Sequence, residues 1–231
     1  MLEWLQSLGA IFLDRSDLFL ELFVQHVQLT AISIALIAVL GISLGIAMNY
    51  NQRFAAITLM ITNMLYTIPS IALFGSLIFV TGIGTTSAVI AISAYGMLPL
   101  IRNTYVGLRE VNPEIIEAAV GMGSTPLQLL LRIQLPLALP VIIAGFRTAV
   151  VMAIALGGIA SFIGAGGLGV AIWRGISTYN WQLTIAGSIL VAAYAVCTDS
   201  LLGLLESGIR RKIYGKTTRR PSVWKSMQKA K

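Results

Sequence analysis

Five apolar blocks alternate with short polar segments along this chain of 231 residues. They cover roughly residues 29–48, 54–80, 86–106, 137–162 and 181–205. A helix needs roughly 20 mainly apolar residues to cross a bilayer, and only closed backbone ladders survive there. The pattern therefore predicts five membrane-spanning helices. The second block is long and contains Pro69, which removes a backbone donor and crowds the preceding turn. A break is expected there. The first 25 residues read differently. Trp4, Leu5, Leu8, Ile11 and Phe12 recur at helical spacing, and Leu18, Phe19, Leu22 and Phe23 follow Asp14-Arg15-Ser16-Asp17. Those charges argue against a sixth span. They predict an amphipathic helix on the outer surface, with packing against neighbouring spans as the competing reading. The expected organisation is an extracytoplasmic segment over 1–25, a membrane domain over 26–208 and a basic cytoplasmic tail over 209–231.

Composition agrees with this class. Of the residues, 57% are hydrophobic and 11% charged, whereas soluble domains carry about 25% charged residues. The net charge of +7 does not indicate nucleic acid, because nine of the sixteen Lys and Arg residues lie between Arg210 and Lys231. A cytoplasmic tail obeying the positive-inside rule, touching anionic lipid, accounts for them. Five spans then place the N-terminus outside and the C-terminus inside. Arg53, Arg102, Arg109 and Arg132 fall at the inner boundary, Arg15 and Arg174 outside, and Arg147 within a span. The single Cys197 excludes an internal disulfide, and the single His26 has too few partners for a metal site. Glu3 stands where a signal peptide would carry basic residues, so no signal peptide is expected.

Between the third and fourth blocks lies a polar island over 112–136. Asn112 is placed to cap a short helix, with Pro113 in its first turn and Glu114 and Glu117 near the positive end of its dipole. Ala118, Ala119 and Gly121 continue it, and Gly123 supplies a left-handed end. Thr125-Pro126-Leu127-Gln128 then has the spacing of a capping box. The island is thus expected to form two short helices joined by a tight turn. Glu117, Ala118, Ala119, Gly123, Ile133, Leu135 and Pro136 together resemble the EAA loop of binding-protein-dependent ABC importer permeases. The resemblance implies that Glu114, Glu117, Ala118, Ala119, Gly121, Gly123, Leu135 and Pro136 couple the chain to a cytoplasmic ATPase.

Further segments resemble the permeases that import glycine betaine, carnitine and choline. They include residues 66–73, Leu98-Pro99-Leu100-Ile101-Arg102-Asn103-Thr104-Tyr105, residues 135–140, Gly145-Phe146-Arg147-Thr148-Ala149 and residues 162–169. Ser124 departs from that group, where a second Met is frequent, which bears on the substrate and not on the class. The resemblance implies an all-helical, type I importer fold like that of methionine permeases. Its implied partners are a second permease chain, identical or paralogous, two ATPase subunits holding ATP and Mg, and an extracytoplasmic binding protein. This chain would bind no cofactor and catalyse nothing, and would lie in a bacterial or archaeal plasma membrane. An amino acid such as methionine is the rival substrate. An ion-driven carrier would show inverted repeats and more intramembrane charge, and a membrane enzyme would need a catalytic cluster that the spans lack.

Other motifs were weighed on their chemistry. Gly164-Ala165-Gly166-Gly167-Leu168-Gly169 satisfies a dinucleotide pattern but follows a membrane span, not a strand. Gly215-Lys216-Thr217 lacks the earlier glycine of a phosphate loop. The glycine-rich run at the outer end of the fourth span reads either as a tight surface turn or as a re-entrant outer gate, tolerable at membrane depth only where it is buried or lines a cavity. Tyr66, Pro69, Tyr95, Phe162, Gly164, Gly166 and Gly167 are the candidate path and gate residues, with core packing as the plain alternative. Pro69 and Pro99 free carbonyls of their helices. Gly41 and Gly45 favour close helix approach. Arg147 and Asp199, roughly 15 and 10 Å deep at a rise of about 1.5 Å per residue, are expected to form an intramembrane ion pair.

Overall fold

The computed structural model describes residues 2–214, with side chains described over 8–213. Residues 215–231, the greater part of the expected basic tail, lie outside the described residues. Every regular element in that range is helical. In chain order they are α1 (Leu2–Asp14), α2 (Ser16–Tyr50), α3 (Gln52–Thr67), α4 (Ser70–Thr81), α5 (Thr85–Arg109), α6 (Pro113–Gly121), α7 (Pro126–Leu129), α8 (Leu135–Ala160), α9 (Gly169–Ser177) and α10 (Trp181–Tyr214). Four of the spans are single helices long and apolar enough to cross a membrane. The pair α3 and α4, bent by 101° at Ile68-Pro69, is apolar enough taken together to count as a fifth, either as a broken span or as a re-entrant loop. The all-α polytopic architecture is therefore as expected.

Directions follow from which residues touch. Gly41 lies against Leu100 and Gly45 against Thr104, so α2 and α5 run in parallel. Gly145 lies against Asn103 and Gly107 against Ala138, so α8 runs the other way. Ion pairs from Arg147 to Asp199 and Glu206, with Gly158 near Val191, make α10 antiparallel to α8. One end of the bundle thus carries residues 50–52, the 110–134 segment and the end of α10. The opposite end carries the α4–α5 turn, residues 161–169 and the start of α10.

The main core joins α2, α4, α5 and α8 through Ile37, Phe74, Ile92, Leu100, Ile142, Ala149 and Ala153. Glycines let these helices approach closely, because in lipid the apolar effect does not drive helices together and short-range packing must. Outward positions are apolar as well. Val39, Ile57, Val196, Leu201 and Leu204 are all more than half exposed, as a lipid-facing surface requires.

The N-terminal region differs from the expected arrangement. The chain does not break near residue 25; α2 is one helix of 35 residues beginning at Ser16, about 52 Å long. Phe19 and Leu22 are buried with Leu168, Ala171, Leu183 and Ala186, and Ile11 and Phe12 of α1 pack on the same cluster. Leu13 and Leu20 stay exposed, while Phe19 and Leu22 pack against α9 and α10. The partners that bury these positions are 140–170 residues away in sequence, so local charge could not reveal them.

Proline shapes two further features. Pro99 sits inside an uninterrupted α5, and Asn103 Nδ2 donates to its carbonyl at 2.8 Å. The second helix of the 112–136 island is not separate either: α7 runs through a wide turn over Leu130–Gln134 straight into α8. There Leu135 N–H donates to Leu130 O, five residues back. Pro136 follows with no N–H to give, and the wider turn absorbs that loss.

Gly45 tests the packing argument. A Cβ there would lie 2.5 Å from Thr104 Cβ and 3.0 Å from the Ile101 carbonyl, which is backbone and cannot yield. Gly45→Ala should destabilise the folded protein by about 1–3 kcal/mol, the usual cost of overpacking. Gly75→Ala, with nothing within 4 Å, should not. Thermal unfolding in detergent reads the difference, and equal melting temperatures would contradict the packing.

Candidate coupling loop and translocation path

Between α5 and α8 the backbone is held by its own polar side chains. Asn112 Oδ1 accepts from Glu114 N–H at 2.9 Å, and Pro113 fills the first turn of α6. At the other end Ser124 N–H donates to Ala119 O at 3.1 Å and Gly123 N–H to Val120 O at 2.9 Å. This is a Schellman end, and it requires the left-handed Gly123, whose φ is +84°. Thr125 and Gln128 then exchange bonds in a full capping box, at 3.3 Å and 3.0 Å. The loop is therefore rigid without help from the core.

That rigidity serves an exposed surface. Glu114, Glu117, Ala118, Gly121 and Gly123 are exposed, Leu135 is half-buried and Pro136 is exposed; Ala119 alone of the eight candidates is buried. Apolar side chains stand beside them: Val120 is 55% exposed, Met122 81% and Leu127 63%. None of these three is among the site residues expected from the sequence. An i to i+5 apolar spacing across a turn matches no single-helix template, so periodicity could not flag them. A rigid, polar-capped element presenting apolar side chains at one end of the bundle has the form of a docking surface.

The candidate path residues fall into two groups. Tyr95 is buried and its hydroxyl donates to the Ile68 carbonyl, which the break at Pro69 leaves without a helical partner. Tyr66 meets Tyr95 edge to face at 6.5 Å and is half exposed. The second group lies at the end of α8. Gly164, Gly166 and Gly167 have φ of 76°, 78° and 82°, and Phe162 stacks on Trp173 at 4.6 Å. Both rings are nearly half exposed. Tyr95 lies ten residues along α5, about 15 Å from that end, so the two groups mark different depths. The short helix α9, carrying Trp173, was not anticipated; nine residues interrupted by Arg174 are too few to read as an element.

Arg147 contacts Asp199 with both Nε and Nη2, the latter at 2.6 Å from Oδ2. A third member, Glu206, accepts from Nη1 at 3.3 Å. The sequence reading does not include Glu206, though its seven-residue offset from Asp199 puts both on one face of α10. The group is not enclosed. Arg147 and Asp199 side chains are 34% and 36% exposed, in an open groove of ≈ 690 Å³ shared with Ala144, Thr148, Val151, Met152 and Ala155.

Known proteins match this architecture. Residues 37–211 match the family described as binding-protein-dependent transport system inner membrane component. The chain belongs to this family. The glycine betaine/carnitine/choline transport system permease protein OpuCD of Bacillus subtilis (strain 168) is 37% identical over 209 residues, 90% of this chain and 91% of that protein. The osmoprotectant import permease protein OsmW of Salmonella typhimurium is 40% identical over 84% of this chain and 93% of that one. An ergothioneine transport permease/ergothioneine binding protein of Helicobacter pylori (strain G27) is 44% identical over 176 residues. This chain spans only 32% of that longer protein. In fold, a chain of the inward-facing MetNI methionine ABC transporter superposes with a TM-score of 0.77 at 21% identity, covering 85% of this chain and 98% of that one. The chain is thus a multi-pass transport component with the type I importer permease fold.

The triad gives a directional test. Without Arg147, Asp199 and Glu206 are left as two unneutralised carboxylates; without Asp199, Arg147 keeps Glu206. Arg147→Ala should therefore lower the yield of folded protein in detergent more than Asp199→Ala. The double variant should lose less than the sum of the two. Strictly additive losses, read by size-exclusion chromatography, would show that the residues do not act together.

Proposed function

We propose that this chain is the membrane-spanning path of an ATP-driven importer for small trimethylammonium solutes. Glycine betaine, carnitine, choline and ergothioneine, which the names of the relatives mention, all carry that group, and this common chemistry supports the class. An osmoprotectant such as glycine betaine, carnitine or choline is the primary reading. Ergothioneine is a second, favoured by the 44% identity to the Helicobacter pylori protein. The observation that carries the energy-coupled reading is the rigid loop with Val120, Met122 and Leu127 uncovered beside Glu114 and Glu117. Such a surface needs a partner, and an ATPase subunit with a complementary cleft is that partner.

In this reading the 110–134 segment and the end of α10 face the cytoplasm, and residues 161–169 face outward. Thirteen of the sixteen basic residues then lie inside or at the inner boundary, as the positive-inside rule favours. Two permease chains, identical or paralogous, enclose the path, and two ATPase subunits holding ATP and Mg dock below. A binding protein on the outer side delivers the solute. The chain itself performs no chemistry. ATP-driven closure of the ATPase pair moves α6, and α7 passes the movement directly into α8, because the two are one continuous helix.

Three measurements bear on this reading. Single cysteines in a Cys197→Ser background should react from outside at Asp17 and from the cytoplasm at Lys225; reaction from one side at both would end the five-span topology. Gly123→Val places a β-branched residue in a left-handed turn, at a cost of about 1–2 kcal/mol. It should leave the protein in the membrane but abolish transport and the associated ATP hydrolysis, and so should Glu117→Lys. Wild-type transport by both would remove the loop from the coupling role. Finally, uptake of labelled glycine betaine by the complete transporter should be competed by carnitine, choline or ergothioneine. Competition by methionine alone would assign the chain to the rival amino-acid class.

A further inference from the structure

The turn over 161–169 is gripped by two adjacent side chains of α2. Gly167 N–H donates to Gln25 Oε1 at 3.1 Å, and Leu168 N–H donates to His26 Nδ1 at 3.2 Å. His26 is fully buried, and its Nε2 lies 3.1 Å from the Ile154 carbonyl on α8. Both ring nitrogens thus face backbone groups whose polarity is fixed. Nδ1 must accept, so it carries no proton; Nε2 must donate, so it does. The neutral Nε2–H tautomer alone satisfies both partners.

The surroundings are built to hold this arrangement. Thr30 Oγ1 donates to the His26 carbonyl at 2.8 Å and lies 3.0 Å from the Tyr194 hydroxyl. Tyr194 also meets the His26 ring edge to face at 5.7 Å. Gln25 Nε2 is fixed by Glu21 at 3.1 Å. The glycines complete the fit, since a Cβ on Gly166 would lie 2.5 Å from Gln25 Oε1, and one on Gly157 2.8 Å from His26 Nε2. From its other side the turn is tied to the α4–α5 connection, where Gly84 N–H donates to Ile163 O at 2.9 Å. One imidazole therefore links α2, α8 and the turn, with α10 against its face.

We propose that Gln25 and His26 are positioning residues of the outer gate: they clamp the Gly167-Leu168 backbone, hold Ile163 buried and set the place of Phe162. Opening of the gate requires these two hydrogen bonds to part. This inference rests on the reading of residues 161–169 as a gate.

Two kinds of substitution separate the clamp from mere space-filling. In His26→Asn, Oδ1 stands where Nδ1 stood and still accepts from Leu168, while the link to Ile154 is lost. In His26→Gln the amide reaches the Nε2 position instead, fills the site better and loses the Leu168 bond. Gln25→Met keeps the shape of a half-buried side chain and removes the acceptor for Gly167 together with the exposed bond to Glu21, so it serves where a His26 variant fails to fold. The readout is the maleimide labelling rate of Ile163→Cys in a Cys197→Ser background, measured in the assembled transporter. Labelling of a buried site follows the population of its opened form. His26→Gln and Gln25→Met should each raise the rate about fivefold, the factor that one net hydrogen bond is worth, and His26→Asn should raise it less. Equal rates, or a larger increase in His26→Asn than in His26→Gln, would overturn the clamp. If labelling rises as expected but transport and binding-protein-stimulated ATP hydrolysis stay at wild-type rates, the clamp stands and the gate reading falls.

Discussion

Close approach of helices at glycine is the constraint on which the rest of this structure depends. Lipid offers no reward for hiding apolar side chains, so helices associate where their backbones can come near enough for dense packing. Gly41, Gly45 and Gly96 admit α5 to α2, and Gly107 and Gly145 admit α8 to α5. The parallel α2–α5 and antiparallel α5–α8 pairings then decide which loops share an end. Had α8 packed elsewhere, the 112–136 loop would still form its caps but would not share one end of the bundle with the end of α10.

In the proposed reading, function follows from an unequal distribution of rigidity. The candidate coupling loop is stiffened by its own residues, through Asn112, the Schellman end at Gly123 and the Thr125–Gln128 box. The glycine-rich turn is stiffened from outside itself, by Gln25 and His26 of α2 and by Gly84. An element that must transmit a push benefits from internal stiffness, and one that must open benefits from bonds that can be released. The continuous path from α7 through Leu130–Gln134 into α8 joins these two regions along a single helix.

Much of the fold was legible in the sequence because it is encoded locally. Apolar length gave the five spans, Pro69 gave the bend, and the caps of α6 and α7 were readable to the residue, because each depends on neighbours within three or four positions. The family resemblance likewise rested on contiguous motifs. What the sequence left unread was the length of α2: the charges at Asp14, Arg15 and Asp17 set the first residues apart, yet one helix runs from Ser16 to Tyr50.

The tertiary structure alone decided which distant residues meet. It enlarged the expected Arg147–Asp199 pair to a triad with Glu206, buried Phe19 and Leu22 against α9 and α10, and left Val120, Met122 and Leu127 uncovered. It also turned His26, a lone histidine with no partner in its own segment, into the link between α2, α8 and the glycine-rich turn. Sequence determines whatever is fixed by spacing along one helix or one turn: the spans, the caps and the motif that names the family. Contacts across 50 to 170 residues depend on helix direction and rotation, which small residues at the crossings set in three dimensions and no linear pattern displays.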